Sequence, residues 1–266
     1  MPIRLVLAEL APARGDVASN LALLERAVAA APPSDLFVLP ELFLSGYRVG
    51  ERIHRMALAP GTPSFRRVLE ASRKANAWLI VGTPWTHSDR KGETQNAALL
   101  VGPDGTWKVQ PKRYLPTFGP FEESVNLSPG DRSEVFPTPL GRIGMEICYE
   151  VFFPEVSRQL AMGGAELLVI ISASPVSSRR LFELLLPARA VENGSPVAYC
   201  NRTGVEDGMV FAGGSGLWDL KGEREAAKVV ELGGEDRLLS YEVGLEALPL
   251  WRPMRPVLRD LAARPA

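Results

Sequence analysis

The apolar positions along the chain fall into short buried runs separated by amphipathic stretches. Ile3 to Leu10 has alternating apolar character and predicts a strand. Asp16 follows as a helix N-cap, heading an Ala/Leu-rich helix that ends before Pro32 and Pro33. A second strand, LFVLP, runs into Glu41, and Thr62 with Pro63 opens a helix that carries Phe65, Val68 and Leu69 on one face. WLIVGT from Trp78 returns as a buried strand, so the first third alternates strand and helix and reads as α/β.

From Thr94 the pattern changes to a hairpin, TQNAALLV and TWKVQPK around a Pro-Asp-Gly turn at 103 to 105, followed by a long loop to Gly130. The second half reuses the earlier vocabulary. It predicts a strand RIGMEIC ending at Cys148, a helix from Pro154 to Gly163 and Gly164, a strand ELLVIIS, a helix from about Ser178 to Asn193, and a strand PVAYCN. Antiparallel-looking segments then run to Val243. Two halves of similar make-up are expected to pack around shared sheets as one domain. The tail WRPMRPVLRDLAARPA, with three prolines and four arginines, has little from which to build a core and must lie on this subunit or a neighbour.

Composition narrows the function. With 46% hydrophobic residues the chain can bury a sizeable core, which excludes a disordered protein. Thirty Lys+Arg balance 31 Asp+Glu without a basic cluster, so no nucleic-acid partner is expected. The longest strongly apolar uncharged stretch, 167 to 178, contains Pro175 and falls short of the roughly 20 residues a membrane span needs. MPIRLVLAEL meets Glu9 before its apolar run reaches signal-peptide length, so no secretion is expected. Two distant cysteines give no disulfide framework and no C-x-x-C pair, which argues for a reducing, cytoplasmic setting without structural zinc, other metal or cofactor. Only His54, in ERIHR, and His87, in the polar turn THSDRKG, could supply an imidazole, and both read as surface residues. A hydrolase built on this chain would use a carboxylate base.

Three reactive groups stand at predicted strand ends, where a rigid sheet edge can aim them. They are Glu41 in LPELFLSGY, Lys112 in QPKRYLP and Cys148 in GRIGMEICYEVFFPE. In isolation the first two read as solvated surface residues and the third as a small buried hydrophobe. Cys148, however, is followed by a short turn and a helix starting at Pro154. That places its thiol on a strand-to-helix elbow, exposed and close to helix-start amides, a setting expected to lower its pKa and to suit a nucleophile. Cys200, inside PVAYCN, reads as a core residue.

LPELFLSGY, then PKRYLPTFGPFEESVNLSPG, then EICYEVFFPEVSRQLAMGGAELLVI, in this order and spacing, resemble the nitrilase superfamily of carbon-nitrogen hydrolases. The similarity runs from the first strand to about Glu242. It implies a four-layer α-β-β-α sandwich over a single domain, 1 to 266, and a homodimer or higher homo-oligomer in which the tail from about residue 245 packs on the partner subunit. It also implies a catalytic glutamate, lysine and cysteine at Glu41, Lys112 and Cys148, and a second glutamate at Glu123 within FEES, beside Glu122 where the family usually has aspartate.

These residue types can perform amide hydrolysis without imidazole or metal: a nucleophile, a proton acceptor that later donates, and a cation where the oxyanion develops. The Tyr149 backbone N–H is expected to join Lys112 in holding the oxyanion. The expected substrate is a small-molecule amide; a nitrile, reacting through a thioimidate, and an N-carbamoyl amine are the alternatives, and a non-catalytic scaffold of the same fold is an alternative of another class. Many family members read Cys-Tyr-Asp-x-Arg-Phe-Pro-Glu, whereas this chain has Phe152 at the arginine position. A neutral or apolar acyl group is therefore expected unless Arg179 or Arg180 supplies a carboxylate clamp. Tyr47, Phe118, Phe121, Tyr149, Phe152 and Phe153 are candidates for the neighbourhood of the site.

Overall fold

The computed structural model describes residues 1–86, 90 and 92–263, so the expectation for His87 lies outside the described residues. In chain order the first half holds β1 (Ile3–Glu9), α1 (Val17–Ala30), β2 (Leu36–Val38), α2 (Ile53–Met56), α3 (Pro63–Ala75), β3 (Trp78–Thr86), β4 (Thr94–Val101), β5 (Trp107–Pro111) and α4 (Glu123–Asn126). The second holds β6 (Val135–Thr138), β7 (Gly141–Ile147), α5 (Pro154–Met162), β8 (Leu167–Ser172), α6 (Arg179–Asn193), β9 (Val197–Asn201), β10 (Val205–Glu206), β11 (Met209–Val210), β12 (Gly216–Trp218), β13 (Lys228–Gly233), β14 (Asp236–Val243), α7 (Leu248–Met254) and α8 (Val257–Ala262).

Local chemistry sets the helix starts. The Asp16 carboxylate accepts the Ser19 N–H at 3.0 Å, and the Thr62 hydroxyl accepts the Phe65 N–H at 3.3 Å ahead of Pro63 at the first helical position. α3 stops at Asn76, which takes the left-handed conformation that a helix C-terminus favours.

Among the described residues the strands form a seven-stranded sheet, in the order β13-β14-β1-β2-β3-β4-β5, a five-stranded sheet, β12-β9-β8-β7-β6, and a two-stranded ribbon, β10-β11. The seven-stranded sheet is shared by the two halves, because the late hairpin β13–β14 crosses back and pairs antiparallel with β1 from Ile3↔Val243 to Glu9↔Arg237, whereas the five-stranded sheet is built from the second half alone. The period-2 alternation of β1 shows why two layers result. Leu5 and Leu7 join the core against Ile143, Met145 and Ile147 of β7, while Val6 and Ala8 pack with Leu21 and Leu24 of α1 and Phe65 and Val68 of α3. Val156 and Leu160 of α5 and Phe182 and Leu186 of α6 cover the other sheet, giving layers in the order α-β-β-α.

The expected strand at PVAYCN is β9, and Cys200 is buried, with its Sγ facing the Ala8 and Val38 carbonyls at 3.5 and 3.3 Å. The pattern missed α4 inside the loop to Gly130, and the four-residue β6. The tail forms α7 and α8. Its Arg252 donates to the Gly194 and Ala165 carbonyls and to Ser195 Oγ of the same chain, at 3.2, 2.6 and 3.0 Å, while Leu250, Met254, Val257 and Leu261 remain exposed.

Candidate active site

Glu41, Lys112, Glu123 and Cys148 converge at one end of the two facing sheets. Glu41 follows β2 in a turn whose next residue, Leu42, has φ +47°. That turn lies directly on β3: a Cβ placed on Gly82 would sit 2.1 Å from the Pro40 carbonyl and 2.6 Å from Glu41 Cα. Lys112 extends the β4–β5 ladder by one residue, its N–H donating to the Asn96 carbonyl at 2.8 Å. The register brings the Asn96 and Lys112 side chains to the same carboxylates.

Lys112 Nζ donates to Glu41 Oε1 at 2.6 Å and to Glu123 Oε1 at 2.7 Å. Asn96 Nδ2 donates to Glu41 Oε1 at 2.7 Å and to Glu123 Oε2 at 3.2 Å, and the Tyr47 hydroxyl donates to Glu123 Oε1 at 2.6 Å. The other oxygen of Glu41, Oε2, accepts the Ala173 N–H, just beyond β8, at 2.7 Å. Glu41, Asn96 and Lys112 are fully buried. Removing charges from water costs several kcal/mol per ion, so this cluster persists only because its groups satisfy one another.

The electrostatics follow from that burial. Burial works to lower the Lys112 proton affinity, but the Glu123 and Glu41 carboxylates overcome it and hold the ammonium above its ordinary value. Burial raises Glu123, with Lys112 opposing. Burial and then the Glu123 charge push the Tyr47 hydroxyl well above the tyrosine range.

Cys148 sits on the expected elbow. β7 ends at Ile147, Cys148 has φ +50°, and a 3-10 turn over Cys148–Phe152 leads into α5 with Pro154 at its start. Two expectations for it are corrected. The thiol is 8% exposed, not open, and its pKa is pushed up, by burial first and by the Glu41 charge second, although Lys112 pulls the other way. The elbow alone does not generate a thiolate.

Five of the candidate aromatic residues, with Phe182, form a continuous line of ring contacts that passes through the turn after Cys148. Centroid separations are 6.3 Å for Tyr47–Phe121, 5.4 Å for Phe121–Phe118, 5.2 Å for Phe118–Tyr149, 5.6 Å for Tyr149–Phe152 and 5.6 Å for Phe152–Phe182. Phe153 lies just behind, stacked on Tyr114 at 3.9 Å. A cavity of about 200 Å³ reaches Glu123 and Tyr47 from the side of Arg48, Ile53 and Leu127, with Glu122 on its wall. Arg179 donates to the Ala212 carbonyl, and exposed Arg180 lies 3.6 Å from Glu183. His54 is exposed, with Nδ1 2.9 Å from Thr94 Oγ1.

Sequence reasoning missed Asn96, the Ala173 N–H and Glu150. An asparagine at the start of the apolar run of a buried strand, between Gln95 and Ala97, was the available signal for the first; the other two depend on contacts with groups that the sequence pattern does not reveal.

Known proteins share this architecture and order of elements. The carbon-nitrogen hydrolase family model matches residues 5–250. The chain belongs to this family, within the nitrilase superfamily, and is a hydrolase of carbon-nitrogen bonds other than peptide bonds. It is 34% identical to an (R)-stereoselective amidase of a Pseudomonas species over 86% of this chain and 85% of that protein, and 30% identical to an ω-amidase of Xenopus tropicalis over 87% and 84%. A CN-hydrolase superfamily protein of Xanthomonas campestris, crystallised with an arsenic adduct in its active site, superposes with a TM-score of 0.85 at 25% identity, covering 98% of this chain and 97% of that one. A mutant amidase from Nesterenkonia sp. AN1, in which acrylamide has undergone Michael addition at the active-site cysteine, superposes at 0.80 with 28% identity over 95% and 97%.

Proposed function

We propose that the chain is an amidase that converts a small-molecule amide with a neutral, apolar acyl group to a carboxylic acid and ammonia through a thioester on Cys148. The observation that carries this reading is the buried Glu41–Lys112–Glu123 cluster beside a cysteine on a left-handed elbow. Because burial keeps the thiol protonated, its proton must leave as sulfur attacks, which calls for a general base in place. Glu41 takes that proton. The Cys148 sulfur bonds to the carbonyl carbon, and the carbonyl π electrons move to oxygen, where Lys112 and the Tyr149 N–H stabilise the oxyanion. Collapse of the tetrahedral intermediate breaks the carbon–nitrogen bond as Glu41 returns its proton to the departing nitrogen. Water, losing a proton to Glu41, then attacks the thioester and expels the Cys148 sulfur, which regains a proton as the acid departs. Glu123 orients Lys112 by the 2.7 Å contact.

The acyl preference follows from the aromatic line. Phe152 occupies the sequence position at which many family members carry arginine, and the Arg179 guanidinium is engaged by the Ala212 carbonyl while Arg180 faces solvent near Glu183. Tyr47, Phe118, Tyr149 and Phe152 supply the apolar wall. The reading includes a homodimer or larger homo-oligomer in the cytoplasm. Leu181 and Leu184 on α6 and Leu250 and Met254 on α7 are exposed large apolar side chains of the kind an oligomer covers. Among the described residues no helix is long and apolar enough to cross a membrane.

The test is ammonia release from a panel of amides, nitriles and ureido compounds, with intact mass of Glu41→Gln for an acyl adduct on Cys148. Release from neutral amides that disappears in Cys148→Ala supports the reading. Undiminished release by Cys148→Ala, or release from nitriles alone, overturns it.

A further inference from the structure

One carboxylate touches both catalytic segments without touching either catalytic side chain. Glu150, 1% exposed in the turn after Cys148, accepts the Arg113 N–H on Oε1 at 2.8 Å and the Ile147 N–H on Oε2 at 2.7 Å. Arg113 immediately follows Lys112, beyond β5 of the seven-stranded sheet. Ile147 immediately precedes Cys148 and ends β7 of the five-stranded sheet. Among the described residues the two sheets have no strand pairing with each other, so the spacing between their catalytic groups must be set by other contacts.

We propose that Glu150 is a positioning residue, a strut between the sheets that sets the separation and aim of the Lys112 ammonium relative to the Cys148 thiol. The inference deepens the proposed mechanism and rests on the roles given there to Lys112 and Cys148.

Three features support it. First, both bonds run to backbone N–H groups, so they fix main-chain position, not a mobile side chain. Second, the contact lies inside a wider seam between the same segments: Arg113 donates to Gln159 Oε1 of α5 at 2.9 Å, and Tyr114 stacks on Phe153 at 3.9 Å. Third, the strut carries a cost that packing alone would not require. Burial raises the Glu150 proton affinity to about 7, against the help of the two N–H groups and of Lys112 and Arg113 nearby. An apolar residue would fill the space without that penalty, but it would leave the buried Ile147 N–H and the partly buried Arg113 N–H unpaired. The family pattern with aspartate at this position retains a carboxylate on a stem one methylene shorter.

The experiment compares Glu150→Gln and Glu150→Asp with the wild-type chain and Cys148→Ala on one neutral amide, recording kcat, KM and thermal unfolding. Gln offers one acceptor oxygen and turns an NH2 donor toward the other N–H. The expected result is a kcat about 100-fold lower with KM within about threefold, the loss that a displacement near 1 Å produces. Asp keeps both acceptor oxygens on the shorter stem and is expected to lose about five- to tenfold in kcat, again with KM nearly unchanged. A purely structural role would lower the melting temperature while leaving kcat of the folded fraction intact. That result, a kcat for folded Gln variant within twofold of wild type, or a loss confined to KM, overturns the proposal. If Glu150→Gln does not fold, Glu150→Asp decides: wild-type kcat removes the strut, and the five- to tenfold loss at constant KM sustains it. An active Cys148→Ala would instead overturn the mechanism on which the strut depends, so the two failures are distinguishable.

Discussion

Lys112 Nζ stands 2.6 Å from Glu41 Oε1, and neither side chain has any solvent exposure. The lysine is also 2.7 Å from Glu123, so a single ammonium compensates two buried carboxylates. Replacing it with alanine strands both, a change that typically costs roughly 3–5 kcal/mol when one partner of a buried pair is removed. Lys112→Ala is expected to unfold at a clearly lower temperature and to release no measurable ammonia from amides. Glu123, already raised by burial, then loses the charge that opposed the rise, so the destabilisation should be smaller at pH 5 than at pH 8. Thermal unfolding at both pH values checks this; equal losses would mean that the carboxylates do not depend on the lysine.

The Glu41 turn depends on the missing side chain of Gly82. A Cβ there meets the Pro40 carbonyl at 2.1 Å, Glu41 Cα at 2.6 Å and Leu42 N at 2.7 Å, all of them backbone atoms that no rotamer change can relieve. Gly82→Ala is therefore expected to push the turn off β3, with about 1–3 kcal/mol of destabilisation from overpacking and at least a tenfold lower kcat because Glu41 is displaced. Denaturant unfolding and amide turnover of the variant measure the two effects. Wild-type turnover would show that Glu41 is not held by this approach.

Chain order and elementary capping chemistry carried much of the fold. Asp16, Thr62 and Pro154 mark helix starts by local hydrogen bonding or fixed φ, β1 shows apolar alternation, and β3 and β8 open on apolar runs that depend little on context. The four-residue β6, with proline inside it, has no such signal and exists because β7 offers a partner edge. The return of the late hairpin to the first sheet was likewise illegible, since the pairing of β14 with β1 joins residues more than 200 positions apart. At the site, the strand-end positions of Glu41, Lys112 and Cys148 could be read from the apolar runs before them. The state of the thiol could not. An elbow argues for a lowered pKa, and only the three-dimensional placement of Glu41 and the depth of burial reverse the sign. Glu150 carried no signal, because both its partners are backbone groups that sequence pattern does not reveal.

A further buried carboxylate, outside the site, gives the chain a pH-dependent stability. Glu146, fully buried on β7, accepts the Ser157 hydroxyl at 2.7 Å on Oε1, while Oε2 has no hydrogen-bond partner among the described residues. Burial raises it to about 8, and in the unfolded chain it returns to the ordinary value of 4.5. Between those values the unfolded state binds fewer protons than the folded state, so stability falls as pH rises from 4.5 to about 8 and levels off above. Glu150 acts in the same sense up to about 7. Glu146→Gln removes the larger contribution, which by the usual conversion amounts to several kcal/mol. Urea unfolding at pH 5 and pH 9 is expected to show a clearly smaller pH difference in the variant, with the variant the more stable protein at pH 9. An unchanged pH slope would mean that Glu146 is not the group responsible.

Substrate choice can be tested at Phe152, whose ring lies 5.6 Å from both Tyr149 and Phe182. The residue is half-buried and packs against the core cluster that contains Cys148. Phe152→Arg places a bidentate donor where family members write arginine and removes one ring of the apolar wall. A charge-assisted hydrogen bond from a guanidinium to a carboxylate contributes about 1.5–3 kcal/mol, which corresponds to a preference of about tenfold to a hundredfold. The variant is expected to raise kcat/KM for an amide or N-carbamoyl compound bearing a carboxylate and to lower it for a neutral aliphatic or aromatic amide, so that the ratio of the two shifts by at least tenfold. Both must be measured, because specificity is a difference and a general loss of activity would move them together. A ratio unchanged within twofold would place Phe152 outside the acyl-binding surface and would remove the basis for preferring neutral substrates.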